Sequence, residues 1–175
     1  MIDPVVSVSL RCLLAVLFAT AAWHKASDLR RFAATLEAYR LLPPWLGGAA
    51  ARALPVAEVA VAVSLLLPLY RWAALGAVAM LVLYSVAIAI NLARGRSEID
   101  CGCFGPAAGV PLSGALIVRN GALIAAAAAI SLPLSVRPLV WMDAFTVVVL
   151  VAAAVLLWSS FWRLSGAPGI VGHSR

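Results

Sequence analysis

Long apolar runs separated by short polar connections dominate the chain. The runs approach or reach the roughly 20 residues that an α-helix needs to cross the apolar core of a bilayer. Because lipid offers no partners for backbone N–H and C=O groups, a run of this kind is predicted to be helical. The pattern predicts five spans, at about residues 5–24, 54–69, 72–92, 112–134 and 139–162, with Gly47 as an alternative start of the second span.

The segment between the first two predicted spans has a different pattern. Its apolar residues recur at helical spacing, and charged residues fill the other positions. The apolar set is Leu29, Phe32, Ala33, Leu36 and Tyr39, and the charged set is Arg30, Arg31, Glu37 and Arg40. Ser27 or Asp28 can cap the start, and Pro43-Pro44 ends the helix. The pattern predicts an amphipathic helix over about residues 27–42, lying in the membrane interface.

These elements predict an all-α fold, a polytopic membrane helical bundle that forms a single domain over residues 1–175. Its parts are a four-helix core, a fifth C-terminal transmembrane helix and one interfacial amphipathic helix. A polar loop at about residues 93–111 joins the third and fourth spans. No basic segment precedes the first span, so we expect a retained helix and not a cleaved signal.

Composition and charge agree with a membrane protein. The chain is 65% hydrophobic and 11% charged, whereas soluble domains are about a quarter charged. The net charge of +6 comes mainly from the connections, where cations would meet lipid headgroups. We therefore expect the lipid bilayer as a partner, no nucleic acid, and a multi-pass protein of the bacterial inner membrane. The bias of positive charge places the face that carries the polar loop in the cytoplasm.

The polar loop holds two cysteines separated by one glycine, Cys101-Gly102-Cys103. A C-x-C pair closes a strained disulfide ring, and strained disulfides are labile and oxidising, which suits redox exchange. Asp100 and Lys25 could tune the thiolate or move a proton. The structural alternative is two small residues in a tight turn.

Polar residues within the spans predict a cluster beneath this dithiol. Charged groups in transmembrane segments are costly, and they are usually functional or paired. The expected members lie near one membrane face and are His24, Lys25, Glu58, Asn91, Arg119 and Asn120. Glu58 and Arg119 form a plausible ion pair. Except for Lys25, these residues are predicted to line a pocket for a quinone or a partner.

Other features have less specific interpretations. His24, Cys101 and Cys103 could bind zinc, but zinc sites usually offer four ligands at wider spacing, so no metal is expected. Cys12 lies too far along the first helix to reach the loop, and it is interpreted as an ordinary buried cysteine. Arg11 could pair with a carboxylate or a headgroup, or line a cavity.

Several segments, in order, resemble the methylamine-utilisation MauE family within the DoxX-like group of membrane proteins. The resemblance covers about residues 5–135, and the hexapeptide 100–105 (DCGCFG) is its most specific part. The other matching segments are His24-Lys25, Tyr39 to Pro43, Leu54 to Glu58, Asn91 to Gly95, Leu112-Ser113 and Arg119-Asn120.

The resemblance implies a membrane protein that helps to mature methylamine dehydrogenase, whose small subunit is rich in disulfides. It also implies a thioredoxin-like partner and an extracytoplasmic dithiol, in conflict with the charge bias. The layout is similar to quinone-linked disulfide-forming proteins of the vitamin K epoxide reductase type. Those proteins carry a C-x-x-C pair, whereas this chain has C-x-C and no second cysteine pair to pass electrons.

Three hypotheses follow. In the first, the chain is a thiol–disulfide oxidoreductase with quinone as electron acceptor, and Cys101 and Cys103 cycle between dithiol and disulfide to oxidise a client. In the second, the chain is a non-enzymatic scaffold or transporter subunit that docks a thioredoxin-like partner through the basic amphipathic helix. In the third, it binds a metal.

Overall fold

The computed structural model describes residues 2–99, 111–133, 135 and 140–165. Within these residues every regular element is an α-helix and there is no β-strand, so the all-α prediction is confirmed. The helices are α1 (Pro4–Ser27), α2 (Leu29–Tyr39), α3 (Pro44–Leu66), α4 (Tyr70–Ala93), α5 (Gly114–Ile130) and α6 (Trp141–Ser165).

Three of these helices are long and apolar enough to cross a membrane, at Pro4–Ser27, Trp45–Leu66 and Tyr70–Ala93. Gly114–Ile130 and Trp141–Leu157 are apolar but shorter. Large apolar side chains such as Trp72 and Phe145 are mostly exposed on the outer surface. Extensive apolar exposure of this kind is unusual in a water-soluble monomer and is expected where lipid is the solvent. The chain is therefore a membrane protein.

Helix α3 begins at Pro44, before both predicted starts of the second span, Leu54 and the alternative Gly47. Proline is favoured in the first turn of a helix, because its fixed φ suits that position and its missing N–H would be unpaired there anyway. The preceding Pro43 is extended and forms the N-cap. Helix α3 packs against α2, and in these added turns the side chain of Glu37 lies next to Gly47.

Helix α2 lies inside the segment predicted to be amphipathic. Asp28 caps it, since its Oδ1 accepts a hydrogen bond of 3.0 Å from the backbone N–H of Arg31. Phe32 and Tyr39 are buried, and the helix ends at Arg40, whose φ of 49° is left-handed. The buried side of α2 therefore faces the other helices.

The helices pack through two apolar clusters. Helix α1 packs against α3, α5 and α6, and α4 packs against α3 and α5. The larger cluster includes Leu14, Phe18, Leu65, Leu81 and Ile130. The smaller cluster lies beneath the end of α2 and contains Tyr39, Ile88, Leu112 and Leu116. Small residues, including Ala73, Ala74 and Ala77, let neighbouring helices approach closely.

Arg11, whose role the sequence left open, caps the end of α3. Its Nε donates to the carbonyl of Leu65 at 2.7 Å, and its Nη2 lies 3.4 Å from the carbonyl of Leu67. The guanidinium also lies 4.1 Å from the centre of the Tyr70 ring. The last carbonyls of a helix have no partner within the helix, and a cation favours that end of the helix dipole.

Candidate functional site

A buried ion pair joins α1 and α3. Lys25, in the last turn of α1, donates through Nζ to Oε1 of Glu58, near the middle of α3. Both side chains are almost fully buried, at 3% and 0% relative exposure. Charges in such surroundings are stable only when they are paired and hydrogen-bonded.

Tyr84 of α4 adds a third group to this pair. Its hydroxyl donates to Oε1 of Glu58 at 2.7 Å and accepts from Nζ of Lys25 at 3.3 Å. Nζ also lies 4.6 Å from the centre of the Tyr84 ring and 5.4 Å from that of Phe32. Because Phe32 belongs to α2, the amphipathic helix covers the buried ammonium. The aromatic faces stabilise the cation further.

Sequence interpretation missed Tyr84. The signal that could have identified it is spacing along α4, because Tyr84, Ile88 and Asn91 recur at helical period and share one face. A buried tyrosine hydroxyl normally finds a hydrogen-bond partner. A tyrosine on the same face as the buried Asn91 therefore belongs with the polar residues of the spans.

The predicted Glu58–Arg119 ion pair is wrong, because Glu58 pairs with Lys25. Arg119 of α5 donates instead to its neighbour Asn120, through Nε at 3.1 Å and Nη2 at 2.8 Å to Oδ1. The physical reason is packing, since α3 lies closely along α1 and brings Lys25 within reach of Glu58.

A second polar contact joins the ends of α2 and α4. Arg96 donates to the carbonyl of Ala38 at 2.7 Å and lies 3.3 Å from Oδ1 of Asn91. Arg94 lies 3.5 Å from the carbonyl of Arg40. Cations at the carbonyl end of a helix are favourable, so these arginines help hold the C-terminus of α2 against α4.

Two buried side chains of the spans, Glu58 of the ion pair and Asn120 of α5, each have a polar atom without a hydrogen-bond partner among the described residues: Oε2 of Glu58 and Nδ2 of Asn120. Four side chains, one from each of four helices, make up what we call the buried polar layer: Lys25, Glu58 and Asn120 are buried, and Tyr84 is half-buried. A buried polar atom without a hydrogen-bond partner costs about 1–3 kcal/mol of folding free energy, so these two unpaired atoms need an explanation.

The remaining predicted site residues lie elsewhere. His24 is exposed although it is next to Lys25, because neighbouring helix positions face different directions. Asp100, Cys101 and Cys103 lie outside the described residues. Chain on both sides of them is described, and there the N–H of Leu112 donates to the carbonyls of Ser97 at 2.9 Å and Ile99 at 3.2 Å.

Cys12 is half-buried on α1 beside an apolar groove formed with α3. The prediction that Cys12 is buried is therefore wrong, because its side of α1 borders this groove. Its separation from Cys101 and Cys103 stays a prediction, since those residues lie outside the described part of the chain. In the part of the chain that the structure describes, no three His, Cys, Asp or Glu residues are grouped so that they could hold a metal ion.

Comparison with known proteins identifies the family. The model of the family Methylamine utilisation protein MauE matches residues 3–133. The chain belongs to this family. It is 40% identical over 169 residues to Methylamine utilization protein MauE of Paracoccus denitrificans, covering 95% of this chain and 90% of that protein. The MauE of Methylorubrum extorquens is 39% identical over 137 residues, covering 78% of this chain and 74% of its own. No solved structure matches the chain.

The MauE match includes every residue of the buried polar layer and the Cys101-Gly102-Cys103 segment. Helix α6 begins after the matched range ends. The polar layer and the dithiol therefore belong to the part of the chain that resembles the family model.

Proposed function

We propose that this protein acts in methylamine utilisation as a multi-pass protein of the bacterial inner membrane, with α1, α3, α4 and α5 as a four-helix core and α6 as a fifth span. Cys101 and Cys103 oxidise a client by thiol–disulfide exchange, and the disulfide-rich small subunit of methylamine dehydrogenase is the proposed client. The names of the relatives support the pathway, and the C-x-C pair supports the chemistry.

One observation carries the proposal. The described residues on both sides of the dithiol segment, Ile99 and Leu112, pack into the cluster of Tyr39, Ile88 and Leu116. Tyr84 lies one turn further along α4 from Ile88, and there it meets the buried charges. The described residues that flank the dithiol segment therefore pack at the end of the bundle next to the charged layer, which supports a role of these charges in moving protons or electrons.

The proposed exchange conserves atoms and electrons. A client thiolate attacks the Cys101–Cys103 disulfide, and a second client thiol resolves the mixed disulfide. The client loses two electrons and two protons, and Cys101 and Cys103 become a dithiol. Reoxidation transfers two electrons and two protons to a membrane quinone, which becomes a hydroquinone. Asp100 is placed in sequence to assist proton transfer.

Thiol oxidation of a client requires an oxidising compartment, so we place the dithiol on the extracytoplasmic side. The charge bias pointed the other way. Lys25 is neutralised by Glu58, and Arg94 and Arg96 contact carbonyls of α2. Cations engaged within the protein contribute less to membrane orientation than free loop charges, which weakens the argument from charge.

The test replaces each loop cysteine by serine in cells that express the client. Cys101→Ser and Cys103→Ser should each leave the client reduced, as measured by the mass added on thiol alkylation. Cys12→Ser is the matched control and should leave client oxidation unchanged. Normal client oxidation in both loop variants would contradict the proposal. Labelling with a membrane-impermeant thiol reagent in intact cells tests the side of the membrane.

The non-enzymatic alternative is favoured by the exposed arginines of α2, Arg30 and Arg31, which could dock a thioredoxin-like partner. In that case Cys101 and Cys103 never form a disulfide. Alkylation of the purified protein with and without reductant separates the two functions. A mass shift that depends on reductant supports exchange, and an unchanged mass supports docking.

A further inference from the structure

The two unpaired atoms of the buried polar layer have complementary hydrogen-bonding roles. Oε2 of Glu58 is an acceptor, and Nδ2 of Asn120 is a donor. Neither has a hydrogen-bond partner among the described residues. Leaving both unpaired would cost about 2–6 kcal/mol in total, at about 1–3 kcal/mol for each group. A molecule bound between them would recover that cost.

Charged neighbours orient both atoms. Lys25 and Tyr84 both bind Oε1 of Glu58, which leaves Oε2 directed elsewhere. Arg119 binds the side chain of Asn120 through two N–H groups. Because arginine has donors only, the atom that faces it must be the amide oxygen, so the amide N–H₂ points away from Arg119. Donor and acceptor are therefore set by their surroundings before any ligand binds.

The two atoms lie at about the same depth in the bundle. Ile88 of α4 and Leu116 of α5 pack in one cluster, which fixes the register of these helices. Tyr84 and Asn120 each lie four residues further from the loop end, which is about 6 Å along each helix at ~1.5 Å per residue. Tyr84 is hydrogen-bonded to Glu58, so Glu58 belongs to the same level. Helices α3 and α5 each pack against both α1 and α4, so the fully buried Glu58 and Asn120 face the interior that these four helices enclose.

We infer that Glu58 and Asn120 bind one hydroxyl group inside the bundle, which donates to Oε2 and accepts from Nδ2. A hydroxyl is the smallest group that can satisfy both atoms at once. It can come from a water molecule or from a hydroquinone in the lipid phase. The inference rests on the proposed function only for the hydroquinone, which is the product of reoxidising the dithiol.

The experiment uses the full-length protein in detergent micelles and has two arms. One arm measures binding of duroquinol, a short hydroquinone, by titration calorimetry. The other arm records infrared difference spectra between H₂¹⁶O and H₂¹⁸O, which detect the O–H stretch of an internal water. Glu58→Gln alters the acceptor, and Asn120→Leu removes the donor. Asn120→Asp is a second variant that removes the donor. It keeps the shape of the side chain and its pairing with Arg119, but it lacks the N–H₂ group.

Duroquinol binding that weakens by about tenfold or more in the Glu58 and Asn120 variants identifies the hydroxyl as that of a hydroquinone. No duroquinol binding, with a water band that the same variants lose, identifies it as water. Ser85→Ala is the matched control, since the hydroxyl of the half-buried Ser85 already donates to the carbonyl of Leu81 at 2.7 Å. It should change neither signal.

Absence of both signals in the wild-type protein would overturn the inference. A signal that persists unchanged in the Glu58 variant or in both Asn120 variants would also overturn it. Repeating both arms with Cys101→Ser separates this inference from the proposed function. Suppose that Cys101→Ser keeps the hydroxyl signal and that both loop-cysteine variants still oxidise the client. The thiol exchange is then rejected, and the hydroxyl site is retained.

Discussion

Helix α1 carries one cation near each end, and the two are stabilised in different ways. Arg11 binds the carbonyls of Leu65 and Leu67, which belong to the backbone. Lys25 binds the side chains of Glu58 and Tyr84. Almost any residue at positions 65 and 67 would supply the carbonyls that Arg11 needs. The partners of Lys25 depend on two specific residues on two other helices.

The difference distinguishes a structural contact from a candidate site. Capping a helix end satisfies carbonyls that would otherwise lack partners, so stability alone accounts for Arg11. A buried ion pair often adds no net stability compared with apolar residues of similar size, because both charges must be desolvated. Stability is therefore a weak explanation for Lys25 and Glu58, and chemistry is the better one.

The largest expected effect is that of removing one member of the ion pair. Glu58→Leu leaves the Lys25 ammonium buried and unpaired, and it should destabilise the fold by about 3–5 kcal/mol. The double variant Lys25→Met/Glu58→Leu removes both charges and should recover most of that loss. Unfolding in mixed micelles with increasing denaturing detergent measures both. A double variant as unstable as the single one would contradict an ion pair at this site.

Arg11→Met should have a smaller effect. It removes the hydrogen bond to Leu65 and the contact with the Tyr70 ring, and it should cost about 1–3 kcal/mol in the same unfolding measurement. Client oxidation should be unaffected when the protein is folded. Arg11→Lys, which keeps the charge, should recover part of the loss. A folded Arg11→Met protein that no longer oxidises the client would contradict a purely structural role for Arg11.

Tyr84→Phe tests the hydroxyl apart from the ring. The ring contact with the Lys25 ammonium remains, and the hydrogen bond to Glu58 is lost. We expect a cost of about 0.5–1.5 kcal/mol in unfolding. Tyr70→Phe is the matched control, because its ring faces Arg11, and it should cost less. Equal costs would show that the Tyr84 hydroxyl contributes nothing to the pair.

The smallest effect is expected for Arg96→Gln, which loses the hydrogen bond to the carbonyl of Ala38. Amide hydrogen exchange should increase in the last turn of α2, while exchange in α1 and α4 stays the same. Arg30→Gln changes an exposed arginine of the same helix and should leave exchange unchanged. Faster exchange along all of α1 would instead indicate that Arg96 stabilises the whole bundle.

Helices were largely predictable from the sequence, because apolar runs and the alternation in α2 follow directly from the need to satisfy the backbone in lipid. The start of α3 was predicted at Leu54, with Gly47 as the alternative, because Pro44 and Arg52 resemble a connection when the packing of α2 is unknown. The buried position of Glu58 and Asn120 was foreseen from the cost of polar groups in spans.

Partner choice within the site was not predictable. Which cation meets Glu58 depends on how α1 and α3 pack, and a single sequence does not encode that in any local pattern. Tyr84 was missed because a tyrosine in an apolar run resembles an interfacial or core aromatic residue. The predicted roles of Asp100, Cys101 and Cys103 stay predictions, since these residues lie outside the described part of the chain.

Asp28 both ends α1 and caps α2, so a single residue joins the two helices. Any change in the angle between them has to be absorbed mainly by torsion about the φ and ψ bonds of this residue. Phe32 lies one turn beyond this joint, and Lys25 lies one turn before it. A tilt of α2 at the membrane surface would therefore move the Phe32 ring relative to the Lys25 ammonium that it covers. Bilayer thickness and headgroup packing, which set that tilt, would in this way change the surroundings of the buried charge.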